Sequence, residues 1–141
     1  MRKIMLIALF VLFFAGATQA SSVDLLQSRN GIAYEVNQTK PFTGTYVKNY
    51  RSGKKALEIT YKDGIKNGLM TKWYPDGQKA AEIYFSNDIP DGLNTEWHVN
   101  GLKKYEAHFK KGAKEGREVE WDDKGEKSFD LCFKNGQQVS A

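Results

Sequence analysis

The sequence predicts an all-β protein in which tandem 24-residue β-hairpin units form an extended, twisted antiparallel meander. Three observations carry that expectation. First, four columns recur together at a spacing of 24 residues: Gly44, Gly68, Gly92 and Gly116; Gly53, Gly77, Gly101 and Gly125; Glu58, Glu82, Glu106 and Asp130; Tyr61, Phe85, Phe109 and Phe133. A fixed period of this size marks an array whose units cannot bury an apolar face alone and stack on their neighbours. Second, hydrophobicity within a unit alternates with period two, as in a strand with one face against a core and one towards water. Third, the connections at 64–68, 88–92 and 112–116 are too short for a crossover helix, so consecutive hairpins must continue antiparallel.

From the start of the chain, Arg2 and Lys3 precede an apolar run at 4–14, followed by small residues and Thr18-Gln19-Ala20. This order predicts a signal peptide over 1–20 with cleavage after Ala20, because a membrane-spanning helix needs about 20 apolar residues. No cysteine follows the run, which excludes a lipoprotein signal, and the expected location is outside the cytoplasm: periplasmic, cell-surface or secreted. Loss of Arg2 and Lys3 takes the formal net charge of +4 towards neutrality. No clustered basic stripe of the kind phosphate backbones require is present, which argues against nucleic acid as a partner. Residues 21–43 leave the period. Their order, Leu25-Leu26, Asn30-Gly31, Ile32, Tyr34, Val36 and then Pro41-Phe42, predicts an irregular hairpin that caps a four-unit array at 44–141.

Within the units, Leu69, Thr71 and Trp73, then Leu93, Thr95 and Trp97, then Val119 and Trp121 fall on one side of the earlier strand. The later strand alternates in the same way, with Leu57, Ile59 and Tyr61, with Ala81, Ile83 and Phe85, and with Phe129, Leu131 and Phe133. Turns at Pro75-Asp76-Gly77, Val99-Asn100-Gly101 and Asp123-Lys124-Gly125 join the two strands, with glycine in the left-handed position of a bulged hairpin. The expected core is one aromatic column, Trp73, Trp97, Trp121, Phe85, Phe109 and Phe133, on a single face. The opposite face then carries Tyr46, Tyr50, Met70, Tyr74 and Tyr84 beside Lys48 and Lys72. Tyrosine and methionine are favoured in interface cores, so these five are the candidate partner-binding residues. Six large aromatics on a single-layer sheet would exceed the apolar patch that a soluble monomer tolerates, roughly 300 to 600 Å², and a protein partner or self-association is expected to cover them.

Other residue groups are weighed against catalysis and metal binding. His98 and His108 lack the third and fourth ligands of a metal site. Glu118, Glu120 and Asp122 alternate along one strand with Asp130 on the next, a set of oxygens that could hold Ca²⁺, but no EF-hand loop accompanies them; they read as a solvated acidic edge. Cys132 is the only cysteine, so it has no internal disulfide partner, and as a nucleophile it would need a histidine beside it. The tryptophan column would also suit a carbohydrate-stacking platform, although core packing explains it more simply. The expectation is therefore a non-enzymatic protein with no catalytic residues, metal or cofactor.

The recurring pattern, a glycine, an aromatic five residues on, a turn glycine, then Lys, Glu and an aromatic before the next Asn-Gly or Asp-Gly, resembles the MORN-repeat variant. The likeness covers 44–137 and is greatest to the YwqK-type antitoxins, and Pro41-Phe42-Thr43-Gly44 resembles the segment that opens that family's repeats. The resemblance implies a MORN-like β-hairpin array without catalytic residues and with a protein-binding role. Unit 1 departs in having Asn49 where Trp73, Trp97 and Trp121 stand, with Tyr50 as the expected substitute. The functional expectation is an exported module that binds a protein or envelope component through its sheet faces, with a toxin-neutralising immunity protein, a carbohydrate binder or an enzyme accessory as alternatives. Specific binding to membrane lipid is opposed by Glu58, Glu82, Glu106 and Asp130.

Overall fold

The computed structural model describes residues 22–23 and 25–140; the expected signal peptide at 1–20 lies outside them. Twelve strands follow in order: β1 (Ser22–Val23), β2 (Leu26–Arg29), β3 (Ile32–Glu35), β4 (Gly44–Asn49), β5 (Lys55–Lys62), β6 (Ile65–Trp73), β7 (Lys79–Ser86), β8 (Ile89–Trp97), β9 (Lys103–Lys110), β10 (Ala113–Trp121), β11 (Lys127–Lys134) and β12 (Gln137–Val139). Among the described residues there is no helix. From β4 to β12 each strand pairs antiparallel with the next, while β1 pairs in parallel with the outer edge of β4, and β2 and β3 form a separate hairpin. The structure is thus the all-β antiparallel meander of 24-residue hairpins that the sequence predicts.

Two kinds of turn alternate along it. The longer, at Tyr74 to Gln78 and its equivalents, is closed by Gly77 N–H donating to the Tyr74 carbonyl and Tyr74 N–H to the Gln78 carbonyl. Gly77 lies at φ 100°, the left-handed region that glycine enters without steric cost. The shorter turns are two-residue links in which both residues have positive φ, as at Asp63-Gly64, Asn87-Asp88, Lys111-Gly112 and Asn135-Gly136. That geometry matches the right-handed twist of the flanking strands.

The register corrects the expected faces. In β6 and β7, Met70 pairs with Ile83, Lys72 with Ala81, Leu69 with Tyr84 and Thr71 with Glu82. Directly opposed residues share a face, so Met70 joins Ile59 and Ile83, while Leu69 and Thr71 lie behind them. The cause is one extra residue beside each longer turn: Trp73 pairs with Lys79 and Lys72 with Ala81, leaving Ala80 bulged. A one-residue bulge moves every side chain beyond it to the other face. The expected single aromatic column is therefore two columns. Phe85, Phe109 and Phe133 stand on the first face with Ile59, Met70, Ile83 and Ala107; Trp73, Trp97 and Trp121 stand on the second with Thr71, Thr95 and Val119.

Each face of this single-layer sheet makes its own thin core. Ile59, Met70, Ala81 and Ala107 are buried on the first face, and Thr71, Thr95 and Val119 on the second. Among the described residues no large side chain is completely buried. Long side chains lying flat supply the cover: Lys66 and Lys114 extend over the Phe85 and Phe133 rings, each ammonium 5.0 Å from the ring centre, and Lys55 and Lys103 over the Trp73 and Trp121 rings at 5.7 and 5.9 Å. Lysine stems bury apolar surface while the charge stays wet, and all six aromatics of the two columns are half-buried. At the N-terminal end, Phe42 is buried against the Tyr61 ring, and the β2–β3 hairpin is tied on by Ala33 N–H to the Gly64 carbonyl and Gly64 N–H to the Phe42 carbonyl.

Candidate functional site

The five candidate tyrosine and methionine residues do not form one surface. Tyr46 pairs with Ile59 and Met70 is buried beneath its neighbours, both on the first face. Tyr84 stands on the second face, 45% exposed. Tyr50 and Tyr74 open the longer turns, and their hydroxyls donate to the backbone carbonyls of Trp73 (2.6 Å) and Trp97 (2.7 Å) in the following unit. His98, next in that column, reaches the Trp121 carbonyl through Nε2 at 2.9 Å. One position per unit thus clamps each unit to its successor. The period-24 column of Tyr50, Tyr74 and His98 was readable in the sequence, but the change from phenol to imidazole concealed a shared role as hydrogen-bond donor. Tyr50 consequently does the work of Tyr74 and does not replace the tryptophan missing at Asn49.

A second periodic device covers the tryptophan face. Lys55, Lys79 and Lys103 bond Glu58, Glu82 and Glu106 at 2.5 Å, and Lys127 bonds Asp130 at 2.9 Å. Each acidic residue of the repeating column is thereby neutralised within its own strand. Arg117 adds a bidentate contact to Asp130, and its hydrogen bonds, followed by that of Lys127, hold the Asp130 carboxyl well below the usual carboxylate range.

Beyond this ladder the second face carries a row of different character. Leu69 pairs with Tyr84 and Leu93 with His108, and Tyr84 packs on the backbone of Gly92, where an added Cβ would sit 3.0 Å from the tyrosine Cβ. Tyr84 and Leu93, 45% and 44% exposed, are apolar surface in the middle of the sheet and not at its fraying ends. The sequence placed Tyr84 among the exposed candidates but assigned Leu93 to the core, because the bulge beside each longer turn was invisible to it.

The first face holds a buried carboxylate that the sequence did not reveal. Glu118 is 4% exposed, ion-paired with Lys114 and adjacent to the Tyr105 phenol. Burial first, then the Glu118 carboxylate, pushes the Tyr105 phenol far above its ordinary value. Glu118 and Glu120 lie on this face, whereas Asp130 pairs with Val119 and lies on the other, so the grouping of oxygens considered for Ca²⁺ does not assemble. Among the described residues no three His, Cys, Asp or Glu side chains come together as a metal site. Cys132 pairs with Arg117 two strands from His108, about 10 Å at the spacing of β-strands and beyond hydrogen-bond reach. An open depression of about 340 Å³ lies between Glu96, His98, Lys104, Tyr105, Glu120 and Trp121.

Comparison with known proteins agrees with this geometry. The family described as MORN repeat variant matches residues 42–63 and 66–87, the hairpins β4–β5 and β6–β7. MORN repeats generally serve as protein- or membrane-interaction modules. No curated protein matches the chain.

Proposed function

We propose that this array of MORN-type hairpins is an exported, non-enzymatic module that binds another protein through the second face of its sheet. The observation that carries the reading is the row Leu69, Tyr84 and Leu93, with the last two exposed near the centre of a sheet held unit to unit by side-chain clamps. A tyrosine flanked by leucines on a pre-organised surface loses little entropy on binding and supplies a large contact. The lysine–glutamate ladder that borders the row presents balanced charge, which suits a protein surface better than an anionic bilayer. Neutralisation of a toxin is one case of this reading, with the toxin as the bound protein. Export rests on the basic start, apolar run and small-residue stretch of residues 1–20.

A photo-crosslinking residue in place of Leu93 is expected to capture a partner protein in the producing cell, and the same residue in place of Ser52, on an exposed turn, is not. Equal labelling at both positions, or none at either, rejects the reading. Mass spectrometry of the mature protein is expected to find Ser21 at the N-terminus; an intact Met1 on cytosolic protein would remove the export claim.

A further inference from the structure

One column of the first face changes sign halfway along the array. Lys48, Lys72, Glu96 and Glu120 occupy equivalent places in units 1 to 4. The register links them into a single row across β4 to β10: Lys48 opposes Leu57, Leu57 opposes Lys72, Lys72 opposes Ala81, Ala81 opposes Glu96, Glu96 opposes Tyr105 and Tyr105 opposes Glu120. With strands about 4.8 Å apart the row is about 29 Å long. Lys48, Lys72 and Glu120 are exposed, and among the described residues none of the three has an ion-pair partner. Glu96 meets Lys104 only at 3.6 Å and keeps 43% of its side chain exposed.

This order is self-complementary. A two-fold axis lying parallel to the strands and passing over Ala81 reverses the row while bringing two first faces together. It sets Lys48 against Glu120 of the second copy, Lys72 against its Glu96, Leu57 against its Tyr105, and the two Ala81 residues against each other. Four ion pairs result, the bulky apolar residues meet, and the smallest side chain sits where the sheets approach most closely. Because the axis is parallel to the strands, the two sheets pack in the aligned manner of β-sandwiches, and the interface is isologous as a closed dimer requires. Turning the axis by 90° within the interface would oppose Lys48 to Lys48 and Glu120 to Glu120, which like-charge repulsion forbids. We propose that the first face is a homodimer interface whose orientation is fixed by the Lys48, Lys72, Glu96 and Glu120 row. The proposal is independent of the protein-binding reading, which uses Tyr84 and Leu93 on the opposite face.

The test uses sedimentation velocity of the mature wild-type protein and of two charge-reversed variants, K48E/K72E and E96K/E120K, across a concentration series. The wild-type protein is expected to dimerise, with a dissociation constant that rises at least about tenfold between about 0.05 and 0.5 M NaCl, as screening of several ion pairs requires. Each variant alone is expected to remain monomeric with an unchanged circular dichroism spectrum, since the four side chains lie on the surface. An equimolar mixture of the two is expected to form a heterodimer, because one copy then presents four glutamates and the other four lysines. A wild-type protein that stays monomeric at every concentration and salt overturns the proposal and leaves the face to a different protein. Variants that self-associate like the wild type, or a mixture that does not associate, overturn the pairing.

Discussion

Replacement of Tyr74 by phenylalanine isolates the clamp between units. The substitution keeps the ring and removes only the hydroxyl that donates to the Trp97 carbonyl at 2.7 Å. The net loss for one such hydrogen bond is about 1 kcal/mol. Tyr50→Phe removes the equivalent bond to Trp73 two strands away, a separation of about 10 Å, so the two losses are expected to add to about 2 kcal/mol. That is a large part of the stability of a domain of this size. The bond joins one unit to the next, so its loss falls on the nearest-neighbour coupling that makes a repeat array unfold as one body; the urea transition followed by tryptophan fluorescence should move to lower concentration and also broaden. Tyr84→Phe is the control, since the Tyr84 hydroxyl makes no hydrogen bond among the described residues, and it should change stability by less than about 0.5 kcal/mol. Equal midpoints for Tyr74→Phe and Tyr84→Phe would show that the turn tyrosines are not clamps.

Lys114→Met leaves the 4%-exposed Glu118 carboxylate without its cation; it should cost about 3 kcal/mol in urea unfolding, and adding Glu118→Gln should recover most of that. Because its folded value is depressed, Asp130 stabilises the native state at pH values above the ordinary aspartate range, and this contribution is lost as pH falls through the folded value. Its carboxyl carbon should still report the ionised form by NMR at about pH 3, a unit below an ordinary aspartate, and should titrate normally in Arg117→Ala/Lys127→Ala. Tyr105 has the opposite sign: its raised value gives stability that is complete below the unfolded phenol value and is lost as pH rises towards the folded one, so Tyr105→Phe should flatten the alkaline fall in stability. Gly92→Ala, at φ 127° and against Tyr84, should destabilise by more than about 1 kcal/mol, and more than Gly53→Ala, where the added methyl meets open space.

The sequence made the strands, the turns and their order legible because each rests on a local rule repeated in several units. Gly77, Gly101 and Gly125 mark the left-handed turn residues, and the pairs Asp63-Gly64 and Asn135-Gly136 mark the two-residue links. The faces were not legible, because they depend on Ala80 and its equivalents. A bulge leaves no pattern of its own in the alternation of Leu69, Thr71 and Trp73, yet it decides whether they join Ile83 or Glu82. The division of the aromatics was illegible for the same reason, since the structure splits the expected single column of six between two faces and lays lysine stems across Trp73, Phe85, Trp121 and Phe133. The buried Glu118 was hidden among the alternating acids of β10, where parity alone does not separate an exposed carboxylate from one that Lys114 and Tyr105 enclose.

The clamp column has a direction, because each donor reaches forward to a carbonyl in the unit that follows. Tyr50, Tyr74 and His98 can all give a proton to such a carbonyl, whereas Asp122, at the same place in unit 4, is an acceptor whose Oδ1 is already engaged by the N–H groups of Lys124 and Glu126. The four units are therefore not interchangeable parts. Lengthening this protein by gene duplication would succeed with a copied unit 2 inserted after itself, which brings its own donor and offers its own carbonyl. A copy of unit 4 appended after unit 4 would join through sheet pairing alone, at a seam where Asp122 has no proton to give the neighbour's carbonyl.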